Sequence, residues 1–449
     1  MNYTYDYTKT MMMKLLMAVP DRLGGSHVYV DVEKALDIIK QVDNMTLGTS
    51  KIVYLVGWQY LGHDDKYPAF FEVNEGIKKE GFTAKESLIW LINEARKYNT
   101  VVSLHINFAD AYGDSPLFEE YVKHNALIRN RKGKPAKIEK YNGKACYKIS
   151  YKEEWESGLF KKRIDKLFEL LPIAEIGTVH VDNFQCYVNR APYISAEEMK
   201  YYRNKMIDYL REKGVDITSE FTYREGKRSI IAYGIITRDI TPHRYPIACL
   251  NKIPAVWWTD KMTLEEYYMF YPHIYGGGIP KNVKAYNLFY GNIHGEDLFR
   301  KDNWQSEFIR YFISVNVPFF YLNEKTRIGF ADKSMRVVNY NDGTATSVDG
   351  VITANNGEVV RSGKLKVTNM GKLSAADCEV FLPYKDGYVC YIDKGGKVCY
   401  TVEKENCNVL YEITPQGLKK LSDIVMVDDK VSFIAQAGKA YYIGKVEGK

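Results

Sequence analysis

The sequence predicts an α/β domain followed by an all-β domain, and three observations carry that prediction. From about residue 12 to about residue 328, short β-branched or apolar runs alternate with helix-period patterns. Several of those runs end in polar side chains, as strands do where they feed a site at one rim of a parallel sheet. Beyond residue 328 the helical patterns stop. Short alternating segments split by glycine-containing turns replace them. The candidate strands of the first part number about eight, enough to close a barrel. The expected architecture is therefore a (β/α)8 TIM-type barrel over 1–328 and an antiparallel all-β sandwich over 329–449.

The first strand is expected in the Met-rich run Met11 to Val19, and a helix follows around Val32, Ala35, Leu36, Ile38 and Ile39. The run Lys51 to Val56 reads as a buried strand and opens into Gly57-Trp58-Gln59-Tyr60-Leu61-Gly62-His63-Asp64-Asp65. That loop is dense in hydrogen-bonding groups, and loops at strand ends are where barrels keep their function. An amphipathic helix over Ala84 to Tyr98 leads to strand Thr100 to Leu104, which ends in His105-Ile106-Asn107. A helix over Ser115 to Ala126 and a polar hairpin around Arg129 to Lys134 precede a helix over Trp155 to Leu171. Thr178 to Asp182 is the next strand. A helix over Ala196 to Lys213 leads to strand Val215 to Phe221, which contains Ser219-Glu220. Further strands are expected at Ser229 to Thr237, Ala255 to Thr259, Val283 to Phe289 and Val317 to Tyr321, with a helix over Asn303 to Ser314. In the last part, turns are expected at Asn341-Asp342-Gly343, Asn355-Asn356-Gly357, Lys385-Asp386-Gly387 and Lys394-Gly395-Gly396.

Composition narrows the function. At 46% hydrophobic and 26% charged the chain is ordinary for a globular protein. Its net charge of +6 is spread along the length with no basic stripe, which argues against nucleic acid as a partner. No window approaches ~18 uninterrupted apolar residues, so no membrane span is expected. The 37 tyrosines suit sugar binding, because a ring packs on C–H faces while its hydroxyl bonds to sugar oxygens; core packing accounts for many of them as well. Cys146, Cys186, Cys249, Cys378, Cys390, Cys399 and Cys407 form no Cys-x-x-Cys pair, which fits a reducing compartment rather than a disulfide framework or zinc site. Lys14 interrupts the apolar N-terminal run and Pro20-Asp21 follows it, unlike a secretory leader. The expectation is a cytoplasmic protein, with a trimmed secreted form as the alternative; the oligomeric state is not legible.

Asp182 and Glu220 are the first candidates for chemistry. Carboxylates on neighbouring parallel strand ends can stand about 5–5.5 Å apart, the separation used by retaining glycosidases. One must be ionised to attack and the other must hold a proton. Asp182 suits the first role and Glu220 the second, although strand-end carboxylates also serve as caps or ion pairs. His63, Asp64, His105 and Asn107 form a second group, read as a clamp for sugar hydroxyls. No His-Glu-x-x-His or similar ligand spacing appears, so no metal or other cofactor is expected. A structural calcium bound by backbone carbonyls would leave no trace in the sequence. Trp58, Trp257, Trp258 and Tyr223 complete the expected substrate-binding set. Adjacent strand residues face opposite ways, so only one of Trp257 and Trp258 can point at the axis. Gly276-Gly277-Gly278 lacks the Lys-Ser/Thr of a phosphate loop.

The order and spacing of Gly62-His63-Asp64, His105-Ile106-Asn107, Val181-Asp182 and Ser219-Glu220-Phe221 resemble the endo-α-N-acetylgalactosaminidases of glycoside hydrolase family 101. They also resemble the related α-N-acetylgalactosaminidases of family 129. The resemblance runs over roughly residues 12 to 330. It implies retaining cleavage of α-linked N-acetylgalactosamine from mucin-type O-glycans, a carbohydrate or glycopeptide substrate, Asp182 as nucleophile and Glu220 as acid/base. It also implies a sugar-binding role for His63, Asp64 and His105. Where the family has Tyr-Val-Asp-Val-Trp, this chain has His180-Val181-Asp182-Asn183-Phe184, and Phe221-Thr222-Tyr223 replaces a Trp-Gly after the glutamate. These departures are read as changes in the sugar subsites. The alternatives are an α-galactosidase on the same barrel, or a sugar-binding protein that has lost catalysis.

Overall fold

The computed structural model describes residues 4–6, 9–141, 143–182, 184–219, 223–225, 229–231, 234–235, 289, 291, 293, 296–325, 327–330, 337–347, 350–367, 373–403 and 407–445. The chain divides into two compact units. The first comprises Met1–Tyr5, Met13–Asp37 and Ile52–Pro246; the second comprises Asp6–Met12, Ile38–Lys51 and Ile247–Lys449.

Most of a six-stranded sheet lies in the first unit. Its strand order is Met11–Leu16, Lys51–Val56, Thr100–Asn107, Thr178–Asp182, Asp216–Ser219 and Gly234–Ile235. The first two strands are buried at every position, the pattern of strands covered on both faces. Thr100–Asn107 and Thr178–Asp182 run parallel, with His105 opposite His180 and Asn107 opposite Asp182. Asp216–Ser219 continues the parallel run, with Ser219 opposite Val181. Gly234–Ile235 pairs with it antiparallel, and Tyr223–Glu225 and Ser229–Ile231 form an antiparallel pair of their own. The single parallel strand expected over Ser229 to Thr237 is thereby corrected. Only nine residues separate Ser219 from Ser229, fewer than the dozen or more that the crossover to a parallel strand requires.

The helices follow the expected apolar stripes. Ala84–Ala95 starts at Thr83, which forms a reciprocal capping box with Glu86, and buries Leu88, Leu91, Ile92 and Ala95. Ala196–Glu212 starts at Ser195, whose hydroxyl accepts from the Glu198 amide. The single helix expected over Trp155 to Leu171 is two helices, Tyr151–Glu156 and Leu159–Leu170. Gly158 between them has φ of 78°, a left-handed conformation that ends the first. The expected polar hairpin turns at Asn130 to Lys134, with Arg129 paired antiparallel to Pro135, and next to it in sequence a three-stranded antiparallel sheet joins Asp110–Tyr112, Lys144–Lys148 and Lys137–Tyr141.

In the second unit, helix Trp304–Tyr311 passes through a π-helical turn, Phe312–Asn316, into helix Val317–Asn323. The strand expected over Val317 to Tyr321 is thus corrected to helix. A short apolar run buried on all sides carries no period that separates the two, and Pro318 lies in the first turn, where its missing N–H costs nothing. An antiparallel ten-stranded sheet follows, beginning at Arg327–Phe330 and holding the long pair Val359–Val367 and Leu373–Tyr384. A two-stranded sheet, Gly396–Thr401 with Lys430–Ala435, packs on it through Val398, Val431 and Ala435 against Phe381, Cys390 and Tyr441. The Phe381 ring stacks between Tyr388 and Tyr400, at 5.0 and 4.6 Å. The expected strands over 255–259 and 283–288 lie outside the described residues.

Candidate active site

The rim at the ends of strands Thr100–Asn107 and Thr178–Asp182 collects the polar groups. Side chains two apart on a strand share a face, so Thr178, His180 and Asp182 project together. Thr178 Oγ1 bonds to the Tyr54 hydroxyl at 2.9 Å, and His180 Nδ1 bonds to Thr218 Oγ1 at 2.9 Å. The His180 ring lies 5.4 Å from that of His105 and 5.2 Å from that of Tyr54. Thr178, His180, Tyr54, Thr218 and His105 are all buried. A buried face this polar holds only because its members bond to one another.

At the top of that face stands Asp182, part-exposed where His180 is buried. The register puts Asn107 beside it. Asn107 Nδ2 donates to Asp182 Oδ2 at 3.3 Å and to Asp110 Oδ2 at 2.9 Å. Its Oδ1 accepts from the amides of Ala109 and Asp110 at 2.7 and 2.9 Å. Both ends of this buried amide are therefore committed. Asn107, expected to bind a sugar hydroxyl, is thus held between Asp110 and Asp182. His105 Nε2 stands 3.9 Å from Asp182 Oδ2.

The loop after Lys51–Val56 brings its own groups to the same place. The His63 and His105 rings meet edge-on at 5.4 Å, and His63 Nδ1 lies 3.3 Å from Asp64 Oδ1. Two glycines make this course feasible. Gly57 has φ of +76°, and a Cβ there would stand 2.0 Å from the Ala18 carbonyl oxygen, the same oxygen that accepts from the His63 amide at 2.9 Å. Trp58 is fully buried and its indole N–H donates to the His105 carbonyl at 3.1 Å. Trp58, expected to contact substrate, is thus tied to the strand that carries His105.

Donor atoms of His63, Asp64 and His105 all lie within 4.8 Å of one another, close enough to share one ion. Two imidazoles with one carboxylate suit a borderline metal better than calcium, which takes oxygen ligands. The same set suits sugar hydroxyls. Asp110, Glu139 and Cys146 also converge, but the Lys148 ammonium already supplies a cation there, 2.5 Å from Asp110 and in contact with Glu139.

Tyr67 is a site residue that sequence reasoning missed. It is fully buried, and its hydroxyl is pushed well above the ordinary phenol range by burial and then by the negative charges of Asp64 and Asp182. Gln59, also fully buried, is its companion. The available signal was Tyr67-Pro68 so soon after Gly62-His63-Asp64, at the end of the same loop.

Arg163 fixes this rim from behind. It is fully buried, pairs with Glu154 at 2.7 Å, and donates to the carbonyls of Phe108, Pro68 and Asn107 at 3.3, 3.4 and 3.5 Å. Of the departures expected in subsites, His180 and Phe184 are buried: Phe184 packs against Phe108 and Tyr151, and its carbonyl accepts from Arg203. Glu220, Trp257 and Trp258 lie outside the described residues, as does Asn183, and for Tyr223 only the backbone of its strand is described.

Residues 24–233 match the endo-alpha-N-acetylgalactosaminidase family. That span contains the rim just described, so the expected resemblance holds where the site lies. A search of curated proteins finds no match. Among solved structures, the ligand-free α-N-acetylgalactosaminidase NagBb from Bifidobacterium bifidum is similar at 12% identity and a TM-score of 0.49, covering 82% of this chain and 57% of that one. The chain thus spans just over half the length of that enzyme. An α-amylase from Geobacillus thermoleovorans is similar at 10% identity and a TM-score of 0.43, covering 98% and 99%. An α-galactosidase from Thermus thermophilus gives 16% identity and a TM-score of 0.29 over 46% and 37%.

Proposed function

We propose that this protein is a retaining α-glycosidase acting on α-linked N-acetylgalactosamine, with residues 1–328 forming a (β/α)8 barrel. The observation that carries the reading is Asp182: a part-exposed carboxylate at a strand end, oriented by Asn107 and faced by His105, within the segment that matches the family. Asp182 attacks the anomeric carbon. Glu220, which follows Ser219 in the sequence, protonates the leaving oxygen and then activates the water that releases the sugar. His63 and Asp64 bond to hydroxyls of the sugar ring. The two-carboxylate mechanism calls on no redox group.

The test is turnover of an aryl α-N-acetylgalactosaminide, followed by NMR of the first anomer formed. Retention predicts the α-anomer first. Asp182→Ala is expected to lose turnover by several orders of magnitude with its fold intact. Near-normal turnover of Asp182→Ala, or the β-anomer first, refutes the assignment. Parallel assay on the aryl α-galactoside decides which galacto-configured sugar is preferred. Sugar binding by the wild-type chain without any turnover establishes the degenerate binding protein instead.

A further inference from the structure

Lys148 lies outside every motif that points to the site. It ends strand Lys144–Lys148, directly across from Asp110 in an antiparallel pair. Its ammonium is 1% exposed, although lysine is among the residues least often buried. It stands 2.5 Å from Asp110 Oδ1, touches the half-exposed Glu139, and lies 5.5 Å from the centroid of the Tyr187 ring. From Asp110 the contacts continue inward. Asp110 Oδ2 accepts from Asn107 Nδ2 at 2.9 Å, and that same nitrogen donates to Asp182 Oδ2 at 3.3 Å. Three contacts thus connect a buried ammonium to the strand-end carboxylate.

We propose that Lys148 is a positioning residue for Asp182, acting through Asp110 and Asn107. The inference rests on the reading of Asp182 as the nucleophile. Asn107 can give one N–H to Asp110 and the other to Asp182 only while Asp110 remains an acceptor, and an ionised carboxylate accepts only. Burial opposes that state, pushing the Asp110 carboxyl up, and the Lys148 ammonium is the main group pulling it down. Lys148 itself remains charged because Asp110, Tyr187 and Glu139 outweigh the burial that favours its neutral form. Without the ammonium, Asp110 takes up a proton and can present a donor to Asn107 instead. The Asn107 amide is then no longer held toward Asp182, and the carboxylate loses its orienting hydrogen bond.

A lysine that merely closes the hairpin would change stability alone. A positioning lysine changes how Asp182 meets positive charge. The test uses the full chain as wild type, Lys148→Met and Lys148→Arg, with calorimetric binding of two probes: a galacto-configured iminosugar, which is a cation, and the neutral methyl α-N-acetylgalactosaminide. In Lys148→Met the iminosugar is expected to weaken by about tenfold while the neutral glycoside changes by less than about twofold, with Lys148→Arg restoring most of the loss. Turnover of the aryl glycoside should fall about tenfold through kcat with KM little changed. Equal losses for both probes, or none, overturn the proposal. The crystal structure of Lys148→Met decides the positioning independently of activity: Asn107 Nδ2 still within hydrogen-bond reach of Asp182 refutes it. A wild type that binds neither probe and turns over nothing defeats the glycosidase reading, and that crystal structure then still judges the positioning.

Discussion

Replacing Arg163 by methionine should unfold the first unit more readily, and in a pH-dependent way. Arg163 and Glu154 are both without exposure and stand 2.7 Å apart, and Tyr121 donates to the same Glu154 oxygen at 2.5 Å. Removing one partner of such a pair costs about 3–5 kcal/mol, because the other charge is left buried. The three carbonyl contacts of Arg163, at 3.3 to 3.5 Å, are long, and their loss adds at most on the order of 1 kcal/mol each. Methionine retains part of the packing between the Phe70, Phe108 and Phe160 rings that the guanidinium now fills. At neutral pH the expected loss is therefore about 4 kcal/mol. Glu154 sets the pH dependence. Burial already raises its carboxyl above the ordinary value, with Arg163 as the largest group holding it down. Without Arg163 it rises further. A carboxyl raised in the folded state stabilises below its unfolded pKa and loses that contribution as pH climbs through the folded one. The deficit of Arg163→Met should thus be largest near about pH 7 and shrink toward about pH 4.5, where unfolded carboxyls also carry protons. Arg163→Met with Glu154→Gln should lie closer to wild type than the single variant. Urea unfolding across that range measures all three proteins. A deficit below about 1 kcal/mol at neutral pH, or one that does not change with pH, refutes the reasoning.

Gly57→Ala should destabilise by more than about 1 kcal/mol and impair the site, since φ of +76° and the Ala18 carbonyl both exclude a Cβ. A denaturant midpoint together with iminosugar affinity checks both effects. In the second unit, Lys51→Met leaves the buried Asp43, now 2.6 Å from the Lys51 ammonium, without its cation, and should cost about 3–5 kcal/mol near neutral pH. Burial lowers the Lys51 pKa from 10.5 to about 8 despite Asp43. Between those values the unfolded chain binds more protons than the folded one, so Lys51 should add stability with rising pH. That slope should be missing from Lys51→Met in a pH series of melting curves.

Much of this protein is determined by local pattern. The alternation of buried runs with amphipathic stripes places the strands at Lys51–Val56, Thr100–Asn107 and Thr178–Asp182, because side-chain period follows backbone geometry. The turns at Asn355-Asn356-Gly357 and Lys394-Gly395-Gly396 follow from glycine's access to positive φ, 84° at Gly357 and 68° at Gly395. The strand-end position of Asp182 was legible for the same reason. What the pattern could not carry is direction and partnership. Val317–Asn323 is helix despite its β-prone composition, because burial on every side erases the period. Trp58 and Asn107 sit in the right motifs, yet they point into the structure, where one indole and one amide are used up bracing His105 and Asp182. His180 and Phe184, the visible departures beside Asp182, are core residues. Tyr67, Arg163 and Lys148 carry no motif and reach the rim from a loop, a helix and a hairpin strand. Their roles arise from distances between segments far apart in the chain, and those exist only once the parallel sheet has set Asn107 beside Asp182.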